Sequence, residues 1–179
     1  MVDPVTIQML RDISAIIGVM IALGYYVVNI RHQRETRQAQ LFMQIANQTF
    51  NRQALRDSVD LLEMQWTDLQ DFYSKYDSSV DRENIVKRFA AWYHFDQVGY
   101  LFKKGLIDRE LAYAIFGGYY APWHWQKFKP IIEHQREYQN MPGLAVYFEY
   151  LANELNKMNE EKGYSTKYRD DIGIYPDKL

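Results

Sequence analysis

Four histidines, His32, His94, His124 and His134, and one carboxylate set among apolar neighbours, Asp96, are the residues of this chain whose chemistry could be put to work. Imidazole and carboxylate ligate metals at neutral pH and move protons in acid–base catalysis. The spacing speaks against a metal. No HxxxH or HExxH pair is present, and Glu133 and His134 are adjacent, so they point about 100° apart on a helix and share no face. His32 falls in a cluster of arginines. Asp96 sits between Tyr93, Phe95, Val98 and Gly99, which predicts burial, and a buried carboxylate needs a partner. No nucleophile elbow, phosphate-binding loop or dinucleotide fingerprint occurs, and there is no cysteine to act as a nucleophile. The expectation is a protein that is not an enzyme, with no catalytic residues, no metal and no cofactor.

The most unusual local composition is the aromatic run Tyr113, Phe116, Tyr119, Tyr120, Trp123 and Trp125 around Gly117 and Gly118. Core filling at a tight turn between helices is one reading. The other is an exposed aromatic surface for a partner protein or the membrane interface, where Trp and Tyr sit well. Trp125 is spaced to face inward with Phe128 and Ile132. Trp123 lies two residues away and so roughly 200° round the helix. Tyr119, Tyr120 and Trp123 are therefore the candidate binding surface.

These residues must be held by helices. Leu41, Ile45 and Ala46 recur at helical spacing, as do Phe42, Thr49 and Phe50, and the segment 52–73 continues the pattern with Leu55, Val59, Leu62, Trp66, Leu69 and Phe72. A helix opened by Asp81 and closed by Gly105 carries Ile85, Phe89, Trp92, Val98 and Leu101. A short one starts at Asp108 and stops at Gly117. Pro122 is expected to open the next helix and Pro130 to bend or split it. A final helix is expected from Asn140 and Pro142 through Met158. No strand-like alternation appears, so the fold class is all-α. Aromatic residues make up 16% of the chain, which predicts a core of large rings with polar edges.

Ahead of this body lies Ile13 to Ile30, ISAIIGVMIALGYYVVNI, without a charged residue or histidine. Its 18 residues would span roughly 27 Å as a helix, close to the hydrocarbon thickness of a bilayer. A secretory signal peptide would have a basic leader and a small-residue cleavage site; here Asp3 and Asp12 flank a single base, Arg11. A soluble core helix would show a polar face, whereas only Ser14 and Asn29, near the two ends, are polar. Arg31, Arg34 and Arg37 follow the run directly. Bases are retained on the cytoplasmic side, so the expected topology is a single-pass cell-membrane protein with its N-terminus outside and its helical domain cytoplasmic. The expected organisation is a membrane anchor over 1–30, a helical domain over 31–159 with about four to five helices, and a polar C-terminal tail over 160–179.

The stretch from Arg88 to Glu137, RFAAWYHFDQVGYLFKKGLIDRELAYAIFGGYYAPWHWQKFKPIIEHQRE, resembles the DUF4760 family of small uncharacterised prokaryotic proteins. The matching residues are Phe95, Asp96, Gly105, Leu106, Ile107, Asp108, Trp125 and Arg136. The resemblance implies an N-terminal hydrophobic helix, a helical body, an acid-bearing helix before the Gly-Leu-Ile-Asp turn, and a Trp-bearing helix closing on an arginine. It implies no activity. Many members carry Glu on the central helix where this chain has Asp96, preceded by His94. The resemblance also makes Arg136 the candidate partner of Asp96, in a structural ion pair between two helices, since a guanidinium can take both carboxylate oxygens.

Net charge is −2, with 21 bases against 23 acids, which lacks the basic excess of a nucleic-acid surface. The partners expected are the lipid bilayer and a partner protein, membrane complex or second copy. The preferred reading is a non-enzymatic single-pass membrane protein with an interaction or accessory-subunit module. Its rival is a membrane-tethered enzyme or ligand-binding domain with Asp96, His124 and Arg136 in one polar pocket. A closed centre favours the first, and a cavity lined by those three residues favours the second.

Overall fold

A computed structural model describes residues 3–166, the side chain of Thr6 excepted, and among these residues the chain is all-helical, with seven helices. They are α1 (Pro4–Thr49), α2 (Arg52–Glu63), α3 (Leu69–Tyr76), α4 (Arg82–Lys103), α5 (Arg109–Phe116), α6 (Tyr120–Tyr138) and α7 (Val146–Glu161). The chain divides into two compact units, residues 1–41 and the residues from Phe42 onward. The expected tail begins inside α7 for its first two residues, and its part after Thr166 lies outside the described residues.

From Pro4 onward the first unit is helical. Proline occupies its first helical position, where a missing N–H costs nothing. The apolar window of α1 is long enough to cross a membrane, and its described residues are exposed. Ser14, the serine of this stretch, donates to the Leu10 carbonyl at 2.8 Å, so it carries its own partner into an apolar surrounding. Arg31, Arg34 and Arg37 are exposed.

In the second unit, asparagine or aspartate opens four helices. Asn51, Asp68, Asp81 and Asp108 accept the backbone N–H of Ala54, Asp71, Asn84 and Leu111 at 2.8 to 2.9 Å, each closing one otherwise unpaired donor. The expected continuous helix over 52–73 is broken. Met64 turns extended, Asp68 caps a new start, and the Asp71 carboxylate returns a bond to the Thr67 N–H at 3.0 Å. The apolar period runs unbroken through the gap because Trp66 still turns inward, onto Phe72 and Phe128, with ring centres 5.0 and 5.6 Å away. Six helices thus follow α1. Pro130 does not split α6; it lies on the exposed side, where water can replace the lost N–H.

The start of α7 also differs from expectation. Asn140 takes a left-handed conformation (φ 51°) after α6, and the Met141 N–H closes on the Arg136 carbonyl at 3.1 Å. A turn through Leu144 and Ala145 then delays the helix to Val146. The core is built where α4, α6 and α7 meet: Trp92, Phe95, Phe128 and Phe148 are each 1% exposed or less. Phe95 and Phe148 stack with centres 4.7 Å apart, and Trp125 meets Phe148 edge-on at 5.3 Å. Trp125 is buried, as its spacing predicts.

One core member is a cation that the sequence reading passed over. Arg88 is 1% exposed, its Nε donating to Asn84 and one terminal nitrogen to the Tyr76 carbonyl, both at 2.8 Å. Its guanidinium lies 4.7 Å from the centre of the Phe72 ring. Burial pushes its pKa down to about 10, which leaves it charged at neutral pH. A buried charge is costly even when bonded, and an apolar side chain of similar volume is often neutral or better. Arg88→Met keeps the volume and removes the charge but leaves the same two acceptors, Asn84 and the Tyr76 carbonyl, without their donor, so it should lose about 1 to 2 kcal/mol. Arg88→Ala, which opens a void and strips Asn84 and Tyr76 of their donor, should lose about 3 kcal/mol or more. Denaturant titration of the pair checks this, and equal losses would contradict it.

Candidate functional site

Two concavities of the second unit share the residues Ser58 and Tyr120. The first, of about 300 Å³, opens between α2 and α4, with Gln48, Thr49 and Asn51 at one end. On α4 it is faced by Lys87, Ala90, Ala91 and His94, one stripe at helical spacing, and on α2 by Ala54, Asp57 and Ser58. The alanines make the space: their three methyl side chains leave a hollow between α2 and the ring-bearing α4. The second, of about 420 Å³, is an apolar groove formed by Phe50, Leu55, Val59 and Leu62 on one side and Ile115, Phe116, Tyr119, Tyr120 and Trp123 on the other.

Between them stands a hydrogen-bonded relay. His124 is fully buried, and its Nδ1 lies 2.8 Å from the Tyr120 carbonyl, which can only accept, so Nδ1 carries the hydrogen. Nε2 is then the acceptor for Ser58 Oγ at 2.9 Å. Ser58 has committed its proton to this bond, and the pKa of Tyr120, which lines the same cavity, is raised, mainly by burial. Serine on imidazole, with the second nitrogen fixed by a carbonyl, has the outline of a nucleophile and its base. Burial, however, pushes the His124 pKa down to about 4, far below the operating range in which an imidazole takes a proton effectively. The pair joins α2 to α6.

His94 makes the matching contact on the other wall. Thr49 gives its proton to the Ile45 carbonyl at 2.8 Å, so the 2.8 Å contact between Thr49 Oγ1 and His94 Nε2 requires the hydrogen on the imidazole, leaving Nδ1 as a bare acceptor. Burial lowers the pKa of His94 and favours this neutral form. At the rim, Lys87 Nζ lies 2.8 Å from Asp60, 3.6 Å from Asp57 and 3.7 Å from Glu83. The bond to Asp60 comes first among the causes that raise its pKa.

The expected pair of Asp96 and Arg136 does not form. Asp96 Oδ1 accepts the backbone N–H groups of Tyr147 and Phe148 at 2.8 and 3.0 Å. Arg136 donates to the Leu144 carbonyl and to Glu149 Oε2, both at 2.8 Å. Both serve the first turn of α7. That helix begins at Ala145, which is left-handed and has no side chain able to cap, so α4 supplies the missing carboxylate and α6 the cation that holds the preceding loop. The expected pocket of Asp96, His124 and Arg136 is corrected with it: His124 belongs to the Ser58 and Tyr120 relay. His134 bonds the Tyr73 hydroxyl at 3.0 Å, and in the first unit His32 lies 3.5 Å from Glu35.

Tyr119, Tyr120 and Trp123 are half-buried and line the apolar groove together, with the Tyr119 and Trp123 ring centres 5.5 Å apart. The cavity residues Thr49, Asp57, Ser58 and Lys87 went unnoticed in the sequence. A trace of them is there: Lys87, Ala90, Ala91 and His94 form a small and polar stripe on a helix otherwise rich in rings.

Residues 12–155 match the model of a domain of unknown function, DUF4760. No curated protein and no solved structure matches the chain.

Proposed function

This chain belongs to the DUF4760 family, and on that premise we propose that it is a non-enzymatic single-pass membrane protein whose helical domain is a protein-interaction module. The observation that carries the reading is the closed centre of the domain. Its largest rings are packed out of reach of solvent, and none of Asp96, His124 and Arg136 lines either of the two concavities described above. The exposed apolar window of α1 supports the anchor, because a core helix of a soluble domain would be mostly buried. The three arginines after Ile30, against Arg11 before Ile13, support an outside N-terminus and a cytoplasmic domain.

The partner is an apolar protein segment seated in the groove of Leu55, Val59, Tyr119 and Trp123. Large rings with polar edges around an apolar trough are the kind of surface on which a few side chains carry most of the binding energy. Carbonate extraction should leave the protein in the membrane fraction, and protease added to intact cells should spare the domain; release or digestion would overturn the anchor or its direction. A photo-reactive residue in place of Leu55 should give one discrete adduct, identified by mass spectrometry and lost when Trp123→Ala is added. The same probe at Tyr138, on an exposed site away from the groove, should not give it. An identical adduct at both positions, or none at Leu55, would remove the module reading.

A further inference from the structure

The chain that follows α7 is led to the mouth of the apolar groove. Gly163 takes a left-handed φ of 73° and the Tyr164 N–H closes on the Asn159 carbonyl at 2.8 Å, which ends the helix and turns the backbone. The side-chain amide of Gln126 then donates to the Thr166 carbonyl. Gln126 follows Trp123 by three residues and Tyr119 by seven, so it stands on the stripe of α6 that forms one wall of the groove. The opposite wall runs beside α6 in the same direction, since Phe50, Ser58 and Trp66 meet Tyr120, His124 and Phe128 in turn. Gln126 therefore marks the Leu62 end of the groove, roughly 10 Å along α6 from Tyr119.

The sequence beyond that anchor, KYRDDIGIYPDKL over 167–179, suits the groove in reach, polarity and charge. Extended, the six residues from Thr166 to Ile172 cover up to about 20 Å, more than the groove requires. Ile172 and Ile174 are two apart, so an extended segment presents both on one face to an apolar trough. Asp170 and Asp171 precede them, and Lys127 stands beside Gln126 with its ammonium 4.8 Å from the centre of the Trp66 ring, so the charges at the entrance are opposite. The tether decides the competition. A segment held this close has an effective concentration on the order of millimolar, which lets weak apolar contacts keep it seated against a partner that arrives from solution.

We propose that residues 167–179 dock in the groove of their own chain, with Ile172 and Ile174 against Leu55, Val59 and Trp123, and that a partner segment must displace them. Docking lowers the apparent affinity for that partner by the fraction of chains in which the groove is open. The competition rests on the interaction-module reading above; the docking itself is a property of the single chain.

The full chain, purified in detergent with a photo-reactive residue in place of Leu55, tests the docking without any partner. Irradiation, digestion and mass spectrometry should join the peptide bearing the probe to one from 167–179 of the same molecule. Ile172→Asp combined with Ile174→Asp should lower that crosslink at least fivefold, and the probe moved to Tyr138 should give it at a fifth of the yield or less. In native membranes the same double variant should raise the partner adduct at Leu55 at least threefold. Docking is overturned if the purified chain gives no crosslink to 167–179, if the crosslink survives the double variant, if Tyr138 gives it as strongly, or if it occurs only in covalent dimers. A partner adduct unchanged by the double variant overturns the competition. The own-chain crosslink in detergent with no partner adduct in membranes would uphold the docking and remove the module reading instead.

Discussion

Lowering the pH from 6.5 to about 4 is expected to cost the folded domain about 3 kcal/mol through one residue, His124. Its imidazole is fully buried, with Nε2 accepting from Ser58 and Nδ1 donating to the Tyr120 carbonyl. Protonation would put a second hydrogen against Ser58 and a charge where no water reaches. Burial therefore pushes the folded pKa down to about 4, against an ordinary value of 6.5. The unfolded chain binds the proton first. Stability conferred by this group is complete above pH 6.5, falls as the pH drops through the interval, and is exhausted once the folded state also protonates. His94, whose pKa burial also lowers, acts in the same direction. Asp71 and Asp77, held below the usual carboxylate value of 3.8 by hydrogen bonds from Lys75 and Ser79, make their contribution at still lower pH. Denaturant titrations across the interval should show the slope, and His124→Gln should remove most of it. A parent protein equally stable at both ends of the interval would contradict the account.

The second large effect is expected at Gly99, where alanine should cost about 3 kcal/mol or more. A methyl group there would collide with the carbonyl of Tyr147, which is backbone and cannot swing aside as a side chain would. Tyr147 is also held from the other direction, because its N–H and that of Phe148 both bond Asp96, one turn before Gly99 on the same helix. Any retreat of α7 from the methyl would stretch those bonds. Asp96→Ala alone removes two charge-assisted hydrogen bonds and the only cap of α7, a loss of about 2 to 4 kcal/mol. Asp96→Asn, keeping one acceptor oxygen, should lose less. Since both changes strain one seam, Gly99→Ala with Asp96→Ala should cost less than the sum of the singles. Additive losses would mean that the glycine and the carboxylate act on separate parts of the structure.

What could be read from residues one at a time was local. Asp81 and Asp108 open helices because a short side-chain oxygen reaches the third N–H of its own turn, whatever lies around it. Gly105 and Gly117 close helices at φ 67° and 57°, a conformation that glycine adopts without strain. The apolar run of α1 and the inward face of Trp125 follow from composition and period, which need no partner to be evaluated. Pro130 and the segment 52–73 mark the limit of that reading. Whether a proline breaks a helix depends on which side meets water, and a period of three and four cannot report a gap that keeps its phase.

The pairings were beyond the sequence. Asp96 and Arg136 were recognisable as groups needing partners, yet their partners are backbone and side-chain groups of a turn that exists only after α6 and α7 have docked. Likewise Ser58 meets His124, and Thr49 meets His94, across helices separated by many residues. Amino-acid order determined the helical class, the helix ends and the apolar run of α1, since each is governed by forces acting within a turn or two. Tertiary packing alone decided which polar groups are satisfied, which histidines are neutral, and where the three alanines leave a hollow. Burial and hydrogen-bond partnership belong to pairs of surfaces, and a pair of surfaces exists only once the chain has folded.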